Sequence, residues 1–400
     1  MRARLHPPRR AARSGRPSGP GSARGAAASL RPPGRGRLAA SGGARRAGWL
    51  ALFAAAALAP LVVSDFTIGL LALWLPFVML AISLDLLWGE NRIVSFGHGA
   101  FFAGGGYVAG LLLRGPQADA TGTNYALLSG GSGNRSGFDS LLHTLSSVQL
   151  DGVPPLAFVL PVALCGLVGL LVGLAVFRIG SVEVYAPLVT LGVGVIAATV
   201  FLKLAVIGGS NGLSGIPPYT RKIAGGSQVS IYVFNAVWLA FVYLGYAAFR
   251  RSRAGRRWRA AGDDPIRLEA LGTDVRRLRA LGFAASAALA GLAGALYVGA
   301  SGFMSADTAG VVFSVQALIW LAVGGPGALL APLVGVLAIQ LADHQLSERL
   351  QDAWQLLLGV LLIVVVLGAP RGLTGLASSA AGLVARGRAR HTNPPEGAVP

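Results

Sequence analysis

The sequence predicts an all-α membrane protein with about ten transmembrane helices, in a range of eight to ten. Of its 400 residues, 54% are hydrophobic and only 12% are charged, and the mean hydropathy is +0.62. Soluble domains carry about 25% charged residues, so this composition indicates a polytopic membrane protein. Glycine is also abundant, at 57 residues, and much of it lies within the apolar stretches.

The predicted crossings follow from the length of the apolar segments, because a transmembrane helix needs about 20 apolar residues. The candidate segments are 47–63, 66–88, 94–113, 154–177, 185–207, 230–249, 279–300, 311–323, 328–342 and 353–369. Segments 311–323 and 328–342 are short and are joined through Gly324 and Gly325. They form either two crossings or one re-entrant hairpin buried in protein.

The two ends of the chain differ in composition from the membrane domain, which we predict over residues 47–376. Residues 1–46 are dominated by Arg, Pro, Gly, Ser and Ala, which predicts a disordered basic extension. Residues 377–400 form a second low-complexity tail, and 114–153 is a polar, Gly/Ser-rich insertion predicted outside the cell.

The first apolar segment, 47–63, follows two arginines and resembles a secretion signal. Pro60 would directly follow the small-residue cleavage site, which disfavours cleavage. The interpretation is therefore a retained first helix.

The net charge of +18 is distributed as membrane topology requires. With both termini on the cytoplasmic side, inside segments hold 28 of the 34 Lys and Arg residues, and outside loops hold five. The positive-inside rule then fixes the orientation in the cell membrane. This distribution favours membrane topology over nucleic-acid binding as the explanation of the charge.

Catalytic and cofactor chemistry find no support in the sequence. Its two lysines, Lys203 and Lys222, do not follow glycine, so there is no Gly-Lys-Ser/Thr phosphate loop. The spacing of Cys, His, Asp and Glu matches neither a metal site nor a nucleophilic triad. We expect a protein that is not an enzyme and binds no metal or cofactor itself.

Few ionisable residues lie within the predicted spans. Asp85 and Glu90 stand near an inner end, His98 near the start of the third span, and Lys203 near an outer end. His98 is either a packed neutral histidine, which we favour, or a proton relay. Helices without fixed ion pairs are expected to slide or rock as units.

Small residues at four-residue spacing predict closely packed helices. Gly169 and Gly173 form one such pair, and Ala290 and Gly294 another. The single cysteine, Cys165, lies in an apolar segment and is predicted to be a packing residue.

The segment 250–279 is a long polar stretch between apolar ones that also carries an internal helix signature, and ten of its thirty residues are Arg. Asp264 reads as an N-cap, Pro265 as the first helical residue and Gly272 as the stop signal, so a short helix is predicted between them. Thr273 or Asp274 then caps the next span. This helix either presses on a partner protein or rests on lipid headgroups.

A glycine-rich stretch, 208–217, follows the fifth predicted span on the outer side. It predicts a tight turn with exposed backbone amides. The turn is either a connector or a contact site for a polar solute or a docking partner.

Together these motifs resemble the permease subunits of branched-chain amino acid and urea ABC importers, and most resemble the longer of the two permeases in such systems. The resemblance covers roughly residues 66–376 without the insertion. The motifs that carry it are 83–89, 95–102, 208–217, 257–275, 290–297, 322–327 and 370–373. Where the family commonly has a second glycine shortly after Gly89, this chain has Arg92.

The resemblance implies a second permease subunit, two ATP-binding subunits that use ATP and Mg²⁺, and an extracytoplasmic solute-binding protein. The polar loop would dock on an ATP-binding subunit, with Glu269, Ala270 and Gly272 as a shortened form of the family's coupling motif. The coupling residues are then Asp264, Pro265, Ile266, Leu268, Glu269, Ala270 and Gly272. Candidates for the translocation path or its gate are Ser95, Gly97, His98, Gly209, Ser210, Asn211, Gly212, Gly324 and Gly325.

The expected function is therefore that of an importer permease for branched-chain or related hydrophobic amino acids. Urea or a short amide is the alternative solute. An ion-coupled secondary carrier or a channel is the alternative class.

Overall fold

The computed structural model describes residues 60, 62–114, 155–178, 182–204, 207–221 and 225–350, with a few positions between 356 and 375. The described residues all belong to the unit Ala57–Pro400. The predictions for residues 1–46, for the apolar segments 47–63 and 353–369, and for the insertion and the tail fall almost wholly outside these ranges.

The described part of the chain is helical, with one isolated β-bridge between Leu213 and Met304. Two short 3₁₀ turns, Gly209–Asn211 and Ala306–Ala309, lie between helices. In chain order the α-helices are α1 Asp65–Asn91, α2 His98–Arg114, α3 Leu156–Val176, α4 Val182–Lys203, α5 Gln228–Arg251, α6 Arg253–Asp263, α7 Pro265–Ala270, α8 Val275–Ser301, α9 Val311–Gly324 and α10 Ala331–Leu350.

Eight of the ten predicted spans coincide with these helices, which confirms an all-α membrane fold. Among the described residues, five helices are long and apolar enough to cross a membrane: α1, α3, α4, α5 and α8. The third predicted span starts at residue 94, but α2 begins only at His98. The residues before it approach α4, where the Phe96 N–H donates to Thr190 Oγ1 at 3.1 Å.

Helices α1 and α8 form the centre of the bundle. In their most apolar windows 78% and 61% of residues are buried, against 17–33% in α3, α4 and α5. Helix α8 packs on α1, α2 and α3. A Cβ on Gly294 would stand 1.8 Å from the Phe102 carbonyl oxygen, and one on Gly169 would stand 2.4 Å from Ala287 Cβ. Only small residues permit this approach, which confirms the packing predicted from their spacing.

Helices α9 and α10 form an antiparallel hairpin. A Cβ on Gly324 would meet the Ala331 carbonyl oxygen at 2.0 Å, and one on Gly335 would meet the Trp320 carbonyl oxygen at 1.8 Å. With 14 residues, α9 rises about 21 Å, which is less than the roughly 30 Å of hydrocarbon in a bilayer. The second half of α9 is also buried in protein. Its short length and its burial together favour the re-entrant alternative for α9.

Candidate coupling site

The short helix predicted in the arginine-rich segment is present as α7, Pro265–Ala270. Asp264 Oδ1 accepts the Arg267 N–H at 3.0 Å, and Pro265 occupies the first turn. Gly272 ends the helix with a φ of +82°, and the Thr273 N–H reaches back to the Leu268 carbonyl oxygen at 3.3 Å. This pattern is a Schellman stop, which glycine favours because it lacks a Cβ.

The cap of the following helix is Asp274 rather than Thr273. Its Oδ1 accepts the Arg277 N–H at 3.0 Å at the start of α8. Four residues, 271–274, therefore join α7 to the central helix of the bundle.

The apolar side chains of α7 and its end divide into two groups. Ile266 and Leu271 are 79% and 77% exposed, and Glu269 and Ala270 are exposed beside them. Leu268 is only 7% exposed, because it packs against Ala261 of α6 and Val275 of α8. The exposed pair can contact a partner, whereas Leu268 fastens α7 to its own protein.

A second helix in this segment, α6, was not predicted. Ser252 caps it by accepting the Gly255 N–H at 3.0 Å. Trp258 is 1% exposed, and its Nε1–H donates to the Leu86 carbonyl oxygen of α1 at 2.8 Å. The available signal was a serine N-cap, followed at helical spacing by Gly255, Trp258 and Ala261 on one face.

Ion pairs between the buried Glu90 and two part-exposed arginines join α1, α5 and α6. Glu90, whose side chain is 1% exposed, lies 2.7 Å from Arg250 Nε and 3.2 Å from Arg259 Nη1. Arg259 Nη2 also donates to the Arg250 carbonyl oxygen at 3.0 Å. The expectation of helices without fixed ion pairs is therefore wrong at this end of the bundle, because the partners of Glu90 come from a distant part of the chain.

Asp85 of α1 and Arg250 of α5 also bind the turn between α9 and α10. Asp85, fully buried on α1, accepts the Gly327 N–H at 2.7 Å through Oδ1 and the Tyr246 O–H at 2.7 Å through Oδ2. Arg250 Nη2 donates to the Gly327 carbonyl oxygen at 2.7 Å. The N–H and the carbonyl oxygen of Gly327 are thus both hydrogen-bonded to charged side chains.

Among the translocation candidates, Ser95, Gly97 and His98 lie together. His98 is fully buried, with Nδ1 3.0 Å from Ser95 Oγ and Nε2 2.8 Å from Ser286 Oγ. Ser286 Oγ donates its one proton to the Ser83 carbonyl oxygen, so it must accept from a His98 Nε2–H. His98 is thus a packed, fully hydrogen-bonded residue, as favoured from the sequence.

The glycine-rich turn lies beside the loop that follows α8. Leu213 and Met304 exchange two backbone hydrogen bonds of 2.9 Å. Ser210 and Asn211 are exposed, while Gly209 and Gly212 are buried with φ of +55° and +69°. The predicted tight turn is present, but the expectation of exposed backbone amides is wrong for Gly209, Gly212 and Leu213, whose N–H groups donate to backbone carbonyl oxygens. The contact role of the turn stays a prediction.

Gly324 and Gly325 lie at a third place, the end of α9. Gly325 has a φ of +98°, and the Gly324 carbonyl oxygen accepts from Thr374 Oγ1 at 2.8 Å. The nine translocation candidates therefore lie on three different elements: the start of α2 with the residues before it, the glycine-rich turn, and the end of α9.

A helical bundle with membrane-spanning helices and a short capped helix at an arginine-rich end is the architecture of a membrane transport protein. A family profile, described as branched-chain amino acid transport system / permease component, matches residues 66–366. The chain belongs to this family. It is accordingly a transport subunit and not an enzyme.

Individual relatives agree with the family. The chain is 26% identical over 349 residues to the high-affinity branched-chain amino acid transport system permease protein LivM of Escherichia coli, covering 81% of this chain and 73% of the relative. It is 24% identical to LivH of Salmonella typhimurium over 75% of this chain and 91% of that protein. It is also 24% identical to the probable LivM of Methanocaldococcus jannaschii, over 76% and 92%. No solved structure matches the chain.

Proposed function

We propose that this chain is a permease subunit of an ATP-driven importer for branched-chain or related hydrophobic amino acids. The relatives named above are branched-chain amino acid permeases, which supports that solute class over urea. The complex would contain a second permease, two ATP-binding subunits that use ATP and Mg²⁺, and an extracytoplasmic solute-binding protein. The distribution of Lys and Arg supports cytoplasmic termini and a cytoplasmic location for the segment 250–279.

The observation that carries the proposal is the pair of exposed apolar side chains on a rigidly capped helix. Ile266 and Leu271 are more than three-quarters exposed. They lie in a segment rich in arginine, and burial of arginine in the hydrocarbon core of a membrane is unfavourable, so lipid could cover them only at the level of the headgroups. A groove on an ATP-binding subunit would cover them. Closure of the ATP-binding subunits would then displace α7, and Leu268 would pass the displacement to α6 and α8.

Docking is tested by measuring binding of the ATP-binding subunits to the purified permease pair. The double variant Ile266→Ala, Leu271→Ala removes both exposed side chains, and we expect binding to weaken by about tenfold or more. The matched control, Ile196→Ala with Leu167→Ala, removes similarly exposed side chains from the transmembrane faces of α4 and α3. Equal binding by the two double variants would contradict docking through α7.

Transport is tested in proteoliposomes that contain the complete complex and its solute-binding protein. We expect uptake of radiolabelled leucine that depends on internal ATP and on every subunit. Uptake by this chain alone, driven by an ion gradient without ATP, would instead identify a secondary carrier. A competition panel of branched-chain amino acids and urea against the solute-binding protein identifies the solute.

A further inference from the structure

We propose that the polar cluster of Asp85, Glu90, Tyr246, Arg250 and Arg259 links the coupling helix α7 to the turn of the α9–α10 hairpin. Through this linkage, movement of α7 would reposition the hairpin during transport. The inference rests on the proposed function and adds the positioning residues that connect docking to the membrane domain.

The first connection runs from α7 to α6. Leu268 packs on Ala261, so the two helices share a small apolar contact with Val275. Arg279 of α8 adds a hydrogen bond of 2.7 Å from its Nη2 to the Ala261 carbonyl oxygen. Displacement of α7 therefore carries α6 with it.

The second connection runs from α6 to the ends of α1 and α5. Asn91 Nδ2 donates to the Trp258 carbonyl oxygen at 2.6 Å, which complements the Trp258 contact to Leu86. The next residue, Arg259, contacts both Glu90 and the Arg250 backbone. Four polar contacts thus fasten α6 to two membrane helices.

The third connection reaches the hairpin turn, and one face of α5 supplies most of it. Tyr243, Tyr246 and Arg250 are spaced at i, i+3 and i+7 and lie on one side of the helix. The Tyr243 O–H donates to the Leu329 carbonyl oxygen in the turn. Tyr246 holds Asp85, and Arg250 stacks 5.6 Å from the Tyr246 ring centroid while it contacts Gly327 and Glu90.

Arg250 is the central residue because it connects all three parts. Its guanidinium contacts Glu90 at the end of α1 and Gly327 in the turn, and its carbonyl oxygen accepts from Arg259 of α6. Buried ion pairs add little stability compared with apolar packing of the same volume, because the charges must be desolvated. What they provide is a fixed relative placement of the groups, as a mechanical linkage requires.

The test uses the complete complex in proteoliposomes and compares Arg250→Lys with Arg251→Lys. Lysine keeps the charge opposite Glu90 but lacks the planar fork that also reaches Gly327. We expect Arg250→Lys to assemble and hydrolyse ATP while the solute imported per ATP falls about tenfold, the size expected for one charge-assisted hydrogen bond. Arg251 is exposed, so Arg251→Lys should match the parent complex. Unchanged import per ATP in Arg250→Lys would overturn the linkage.

A second measurement follows the hairpin directly. Spin labels at Leu330→Cys and Ser214→Cys, both exposed positions, are placed in a Cys165→Ala background. In the parent complex, ATP should change the distance between the labels, and Arg250→Lys or the milder Tyr246→Phe should abolish the change. An unaltered change in both variants would overturn the proposal. Failure of the parent chain to bind ATP-binding subunits would instead contradict the proposed function.

Discussion

Gly89 and Gly327 lie in backbone contact, although 237 residues separate them in the sequence. A Cβ on Gly89 would stand 2.4 Å from the Gly327 nitrogen and 1.9 Å from Asp85 Oδ1. The contact brings the hairpin turn against the end of α1 and leaves room for the hydrogen bond from Gly327 to Asp85.

Gly89→Ala should therefore disrupt the contact between the turn of the α9–α10 hairpin and the end of α1. Overpacking of this kind costs about 1–3 kcal/mol, and Gly327 is backbone that cannot rotate away. We expect a lower thermal unfolding temperature in detergent, followed by tryptophan fluorescence. Gly245→Ala on α5 is the control, because a Cβ there meets nothing within 4 Å. Equal unfolding temperatures for Gly89→Ala and Gly245→Ala would show that the hairpin turn does not pack against Gly89.

We predict that the Arg92→Gly variant is more stable to unfolding than the Arg92→Ala variant. It ends α1 with a φ of +59°, and among the described residues it is the one non-glycine with positive φ. That conformation costs L-residues about 1–2 kcal/mol. Its ion pair with Asp263 is 73% and 67% exposed and contributes little.

The comparison is between Arg92→Gly and Arg92→Ala, since both remove the ion pair and only glycine removes the strain. We expect the glycine variant to unfold at the higher temperature. A more stable alanine variant would contradict the prediction.

Leu268→Ala and Ile266→Ala should separate folding from docking. Leu268 is buried, so its truncation should cost about 2–4 kcal/mol and lower the unfolding temperature of the isolated permease. Ile266 is exposed, so its truncation should leave that temperature unchanged and weaken binding of the ATP-binding subunits. The prediction fails if Ile266→Ala destabilises the isolated permease as much as Leu268→Ala does.

His98→Gln tests the packed histidine against a proton relay. An amide at this position can still pair with Ser95 and Ser286, so we expect uptake by the complete complex to persist. His98→Leu leaves both hydroxyl groups without the imidazole and should lower stability by about 1–3 kcal/mol. Loss of uptake in a stable His98→Gln complex would support a relay.

Much of the fold could be predicted from local sequence. Apolar length located eight helices, and the Asp264 cap with the Gly272 stop located α7 within one residue, because both signals act over a few neighbouring residues. Helix α6 was missed because its apolar face is short and lies among charged residues. The start of α2 at His98, four residues later than predicted, depends on the contact of the preceding residues with α4, which local sequence does not reveal.

The buried ion cluster was beyond sequence reasoning for a different reason. Asp85 and Glu90 were visible as acidic residues at a helix end, but their partners lie far along the chain. The contact of Asp85 with Gly327 spans 242 positions, and that of Glu90 with Arg259 spans 169. Pairing at such separation follows from the three-dimensional packing of helices and from no short motif.

The central position of α8 bears on how a movement of α7 would reach the other end of the bundle. The helix is joined to α7 by four residues and runs without a break for 27 residues, about 40 Å. At its far end the loop that includes Met304 is hydrogen-bonded to the glycine-rich turn. Under the proposed function, a displacement of α7 would therefore be transmitted through one continuous helix to the glycine-rich turn at its other end.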